Sequence, residues 1–217
     1  MYQNIVGKFD ALLADYDGTI LNSMEHLALN AVEMYKEHGI TVEVNEFICE
    51  YIQPFSKLHS HFGLKCDTLE EQEQFNKKYW TISDRNNFRS EFFPGALQTL
   101  KKLHQSGIQL GIVSAAKKQS ILDRFSEERV ADLFDAAHIV GESDRKVDAI
   151  KSFFQKNNLK PERVLMLGDV PSDLDYGKAA GVKVAGFVYS GYPKEVHARL
   201  KERLTQSEPD FIFEEWA

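Results

Sequence analysis

Short apolar runs that stop abruptly at a polar residue alternate along this chain with longer stretches at helical spacing. Strands are predicted over residues 9–16, 108–113, 136–140, 164–167 and 182–188, with a last short one at 211–213. Helices are predicted between them over 95–105, 117–126, 146–157, 172–180 and 193–205. The first of these carries Leu97, Leu100 and Leu103 on one face and closes at Gly107. Strand and helix in alternation predict an α/β fold with a parallel sheet covered by helices on both faces.

Residues 22–91 break this rhythm. Asn22 or Ser23 caps a helix to about His38, with Leu27, Ala31, Met34 and Tyr35 at helical spacing. Asn45 caps a second helix to about Tyr51, a short one follows Pro54 around 55–62, and a charged one runs from Thr68 to Asn87. The segment is therefore a helical insertion of about four helices, with hinges near 20–23 and 89–94. The chain divides into an α/β core (1–20 and 92–217) and an inserted α-helical domain (21–91).

Composition narrows the partners. The net charge is −7 with no basic run, which argues against nucleic acid. No stretch is long and apolar enough to span a membrane, and the start of the chain has neither the basic nor the apolar part of a signal peptide. The two cysteines, Cys49 and Cys66, lack metal-ligand spacing and read as free thiols of a reducing compartment. A soluble, cytoplasmic protein is expected. His59 and His61 read as packing or surface of the insertion, Trp80 and Trp216 as packing, and Glu70–Glu73 as a solvated helix face.

The chemistry sits where strands end. In an open parallel sheet the carboxyl ends of the strands line one crevice. The first strand delivers Asp15, with Asp17 two residues on and a turn at Gly18 that lets backbone approach a ligand closely. Ser114 ends the second strand. Asp169 ends the fourth, with Asp173 four residues later, and Lys146 opens the helix after the third. Crowded acids repel one another unless a cation compensates, which is a reason to expect Mg²⁺. Acids for a hard metal, a hydroxyl and an ammonium suit a phosphoryl group.

Asp15-Tyr16-Asp17-Gly18-Thr19 resembles the DxDGT signature of the haloacid dehalogenase superfamily, and Gly168-Asp169-Val170-Pro171-Ser172-Asp173 resembles its GDxxxD motif. Ser114 after Gly111-Ile112-Val113, and Lys146, resemble the two motifs between them. The resemblance implies a Rossmann-like core, with the insertion as a helical cap similar to that of phosphoglycolate-phosphatase-like and β-phosphoglucomutase-like members. It implies Asp15 as nucleophile, forming an aspartyl-phosphate, and Asp17 as general acid and then base. Mg²⁺ would be held by Asp15, the Asp17 backbone carbonyl and Asp169, with Asp173 binding it or its water shell. Ser114 would bind phosphoryl oxygens, Lys146 would neutralise charge, and Gly18 and Thr19 would form the substrate-side loop. Lys57, in the segment Gln53–Lys57 where such caps carry specificity, is a candidate contact for an anionic substrate.

A carbon–halogen bond needs no proton on its leaving group, whereas a phosphate ester does. Asp17 therefore favours phosphate chemistry over dehalogenation. Asn22 and Val147 depart from what many relatives carry, and Ala115-Ala116 from what phosphoglycolate phosphatases often carry after the serine. The expectation is a Mg²⁺-dependent phosphatase of a small phosphomonoester, of the phosphoglycolate or sugar phosphate type. A phosphomutase and a non-catalytic Mg²⁺/phosphate-binding protein are the alternatives.

Overall fold

A computed structural model describes residues 1–52, 55–65, 67–134, 139–140 and 146–217. Gln53, Pro54, Cys66, His138 and Arg145, and the first part of the predicted third strand, lie outside them. Two compact units are present, Met1–Leu21 with Phe92–Ala217, and Asn22–Glu91.

In the first unit the strands are β1 (Ala11–Ala14), β2 (Gln109–Val113), β3 (Ile139–Val140), β4 (Val164–Gly168), β5 (Lys183–Phe187) and β6 (Phe211–Phe213). They pair in parallel throughout, in the order β3-β2-β1-β4-β5-β6. The central strand is β1, with β2 on one side and β4 on the other. The strand order reverses there, so the crevice beyond its carboxyl end is the natural ligand position. The helices are α1 (Tyr2–Ile5), then, after the insertion, α6 (Ala96–Gln105), α7 (Lys118–Glu127), α8 (Lys146–Lys156), α9 (Pro171–Ala180) and α10 (Lys194–Gln206). The sequence pattern does not reveal α1, which is too short to show a period, nor the one-turn 3₁₀ segments Ala131–Leu133 and Pro161–Arg163.

All four residues of β1 are buried, because helices cover both faces of the sheet. Leu12 and Ala14 face the cluster formed with Leu100 and Leu103 of α6 and Ile121 and Phe125 of α7. Ala11 and Leu13 face the opposite cluster, with Ile150 and Phe153 of α8, Leu174 of α9 and Leu204 of α10. Each fully buried Leu or Phe contributes about 1.5–3 kcal/mol. The alternation also sets direction at the strand end. Tyr16 continues the first face, where it packs edge-on against Phe125. Asp15 continues the second, toward α8 and α9.

The second unit is helical: α2 (Met24–Glu37), α3 (Val44–Glu50), α4 (Phe55–His61) and α5 (Leu69–Asn86). Two local expectations are corrected. Helix α3 is capped by Glu43, not Asn45, because the Glu46 carboxylate accepts the Glu43 backbone N–H at 3.4 Å in a capping box. Trp80 is 44% exposed, since α5 buries its Tyr79–Ile82 face and Trp80 points off that stripe. Within the Glu-rich run, Glu71 closes the start of α5. Its carboxylate accepts the Thr68 backbone N–H at 2.9 Å, and its own N–H donates to Thr68 Oγ1 at 3.2 Å.

His59 is buried, sharing a 2.9 Å hydrogen bond between its Nδ1 and the Tyr35 hydroxyl. Burial lowers its pKa to about 4. Between that value and the ordinary one near 6.5, the unfolded chain takes up a proton that the folded unit refuses. Stability is therefore full above the ordinary value and is lost as the pH falls, by up to about 3 kcal/mol. Thermal melting at about pH 7.5 and pH 5 checks this. His59→Gln is expected to flatten the difference, and an unchanged slope would remove His59 from the account.

Candidate active site

The site is assembled at the carboxyl end of β1 from the first unit alone. Ala14 pairs with Leu167 and with Ile112, so Asp15 stands level with Gly168 and Val113 at the sheet edge. Its backbone N–H still donates to the Leu167 carbonyl at 2.9 Å, which fixes its Cα rigidly to the sheet. The chain then folds back on itself. The Gly18 N–H donates to the Leu21 carbonyl at 2.9 Å, and the Ile20 and Leu21 N–H groups donate to the Tyr16 carbonyl at 3.0 and 2.9 Å.

Lys146, in the first turn of α8, reaches this edge with its side chain 2% exposed. It donates to Asp15 Oδ1 at 3.0 Å and to Asp173 Oδ1 at 2.8 Å. Its ammonium also lies 5.9 Å from the centroid of the Tyr176 ring on α9. Burial by itself would pull the Lys146 pKa down; the two carboxylates outweigh it and hold the ammonium charged. Asp173 is fully buried in the first turn of α9. Its second oxygen, Oδ2, has no hydrogen-bond partner among the described residues. Asp169 is partly exposed, and its Oδ1 accepts the Thr19 hydroxyl at 3.0 Å.

One oxygen each of Asp15, Asp169 and Asp173 lies within 4.8 Å of the others. Three carboxylates against one ammonium leave the site over-supplied with negative charge. The consequence falls on Asp169 and Asp173, whose pKa values are both raised, mainly by burial and also by the neighbouring Asp15. An orphaned buried carboxylate oxygen beside two other hard oxygen donors fits a divalent cation such as Mg²⁺. The carboxylate of Asp17 is outside this trio.

Ser114 lies just past β2, 1% exposed. Its Oγ accepts the Ala116 N–H at 3.1 Å, which orients the hydroxyl and leaves its O–H to donate. Lys57 is exposed on α4 of the second unit.

Two members of the loop accommodate and hold Asp169. Gly18 has φ +74°, and a Cβ built on it would stand 2.2 Å from Asp169 Oδ2. The glycine makes room for the Asp169 carboxylate. Thr19 is fully buried and donates its hydroxyl to Asp169. Gly18→Ala combines a positive φ with that collision and is expected to cost about 2 kcal/mol or more. Urea denaturation measures it, and a loss under about 0.5 kcal/mol would show that Asp169 moves aside freely.

Sequence reasoning missed the contribution of Trp216. Its indole N–H donates to the Thr19 carbonyl at 2.9 Å across 197 positions. The only signal was its residue type: a buried Trp seeks a partner for its N–H.

A model of the haloacid dehalogenase-like hydrolase family matches residues 12–187. A phosphoglycolate phosphatase of Vibrio vulnificus is 26% identical, over 91% of this chain and 89% of its own. A pyrophosphatase PpaX of Bacillus thuringiensis is 24% identical, over 95% and 93%. Among solved structures, a haloacid dehalogenase-like family hydrolase of Streptococcus pneumoniae superposes with a TM-score of 0.73 at 19% identity, over 94% of this chain and 93% of its own.

Proposed function

Because the chain belongs to the haloacid dehalogenase-like hydrolase family, we propose that it is a Mg²⁺-dependent phosphatase of a small phosphomonoester, working through an aspartyl-phosphate on Asp15. The observation that carries this reading is the buried Lys146 ammonium bound to both Asp15 and Asp173, with Asp169 completing the acidic trio. Asp15, Asp169 and Asp173, with the backbone carbonyl of Asp17, would hold the metal, which supplies neutralisation of phosphoryl charge when bound.

The protein's own groups divide the remaining work. Asp15 attacks phosphorus, forming a carboxyl–phosphorus bond as the ester oxygen departs. Asp17 gives the departing oxygen its proton. The same group then takes a proton from the water that attacks phosphorus and frees Asp15. Lys146 fixes the carboxylate of Asp15 through its 3.0 Å bond and supplies positive charge beside it. Ser114 donates its O–H to a phosphoryl oxygen. Every one of these groups addresses the phosphoryl end of a substrate, so we assign the choice of leaving group to the helical unit, acting as a cap.

The relatives' names, with the resemblance to β-phosphoglucomutase-like members, give the first substrates to try. Phosphate release from 2-phosphoglycolate, pyrophosphate and β-glucose 1-phosphate is measured with Mg²⁺ and with EDTA. Mg²⁺-dependent release from at least one of them is expected. Conversion of β-glucose 1-phosphate to glucose 6-phosphate with little free phosphate would replace this reading with a phosphomutase. Release that EDTA leaves unchanged would contradict the metal.

A further inference from the structure

The segment after β6 ends in a clamp. Trp216 is fully buried, beside a pocket of about 300 Å³ that Phe93, Gly95, Phe187 and Tyr189 also line. Hydrogen bonds hold Trp216 at both ends. The Thr99 hydroxyl of α6 donates to the Trp216 carbonyl at 2.6 Å, and the indole N–H donates to the Thr19 carbonyl at 2.9 Å. The same Thr19 donates its hydroxyl to Asp169. A continuous line of hydrogen bonds thus runs from α6 through Trp216 and Thr19 to a member of the acidic trio.

We infer that Trp216 is a positioning residue for the phosphoryl site, holding the loop 16–21 so that Thr19 presents Asp169 to the metal. This deepens the proposed function and rests on it for the metal. Both hydrogen bonds of Thr19 act on one peptide segment: the carbonyl is tied to Trp216 and the side chain to Asp169. Loss of the first removes the tie on the Thr19 peptide itself, leaving its side-chain bond to Asp169 and the loop's backbone hydrogen bonds among residues 16–21. Groups that orient metal ligands typically set affinity by 10–100-fold, and Trp216 acts one residue further out, so the low end applies.

The test compares wild type with Trp216→Phe, Thr99→Val and Phe187→Leu. Trp216→Phe deletes the N–H and keeps a ring. Thr99→Val loosens the opposite end while leaving the indole in place, and it serves if Trp216→Phe fails to fold. Phe187→Leu removes the aromatic neighbour, whose ring centroid is 5.9 Å from that of Trp216, without touching either hydrogen bond. Mg²⁺ affinity is measured by calorimetry. Hydrogen exchange of the Gly18, Ile20 and Leu21 amides is measured without metal. Trp216→Phe is expected to weaken Mg²⁺ about tenfold and speed exchange in the loop, Thr99→Val to do both to a smaller degree, and Phe187→Leu to do neither. Wild-type affinity and exchange in Trp216→Phe, or an equal loss in Phe187→Leu, would overturn the inference. If wild type itself takes up no Mg²⁺, the proposed function fails, and the exchange comparison still decides whether Trp216 holds the loop.

Discussion

Asp15→Asn is expected to lower phosphate release by at least about a thousandfold while the protein remains folded. The two effects separate because of the charge balance around the site. Asn keeps the shape of the side chain and still offers an oxygen to Lys146. It removes one of three negative charges crowded at the end of β1, where Asp15 helps to raise the pKa of both Asp169 and Asp173. Without metal, the thermal midpoint of Asp15→Asn is therefore expected to equal or exceed that of wild type. A variant that loses activity by unfolding would show the opposite shift. Retained turnover in a folded Asp15→Asn protein would remove the nucleophile from the account.

Lys146→Met is expected to be the most destabilising single change at this site. Methionine preserves an unbranched chain of similar length but leaves Asp15 and Asp173 buried without their cation. Stripping one partner from a buried ion pair costs about 3–5 kcal/mol. The loss has a direction in pH. With the ammonium gone, Asp173, whose pKa burial raises and Lys146 holds down, binds its proton more tightly when folded than when unfolded, so the variant regains stability as pH falls through that raised value and loses it as pH rises. Mg²⁺ binds the folded state and is expected to recover part of the loss. Phosphate release should fall by at least about a hundredfold. Urea denaturation at about pH 8 and pH 5, with and without Mg²⁺, measures all three effects on stability; a cost below about 1 kcal/mol at the higher pH would mean that Lys146 is not what balances the carboxylates.

Much of this arrangement is legible in the sequence because strand ends are legible. A run such as Val164-Leu165-Met166-Leu167, buried on both faces, has to stop where the helices stop covering it, and the polar residue at that point faces the crevice. That logic places Asp15, Ser114 and Asp169, and with the next helix starts Lys146 and Asp173. Side-chain commitments across the chain are not legible in the same way. The hydroxyl of Thr19 goes to Asp169, 150 positions away, and the Gly18 position excludes a side chain because that same carboxylate fills the space. Nothing local to residues 15–20 announces either fact. The start of α3 shows the same limit on a smaller scale: Asn45 is a good cap by type, but Glu46, three residues after Glu43, completes a capping box that starts the helix earlier. Lys57 is exposed on its helix, and its sequence context alone does not give it a partner.

The most direct test of the central claim is where the phosphoryl group becomes attached. Wild-type protein with Mg²⁺ is mixed with whichever of 2-phosphoglycolate or pyrophosphate it turns over faster. It is quenched within the first turnovers and reduced with borohydride, which converts an acyl-phosphate to homoserine, and the peptide spanning Ala11–Leu21 is sequenced by mass spectrometry. The account predicts homoserine at position 15, with aspartate intact at 17, and none in a sample lacking substrate. Homoserine at position 17, or efficient phosphate release with neither position modified, would contradict it.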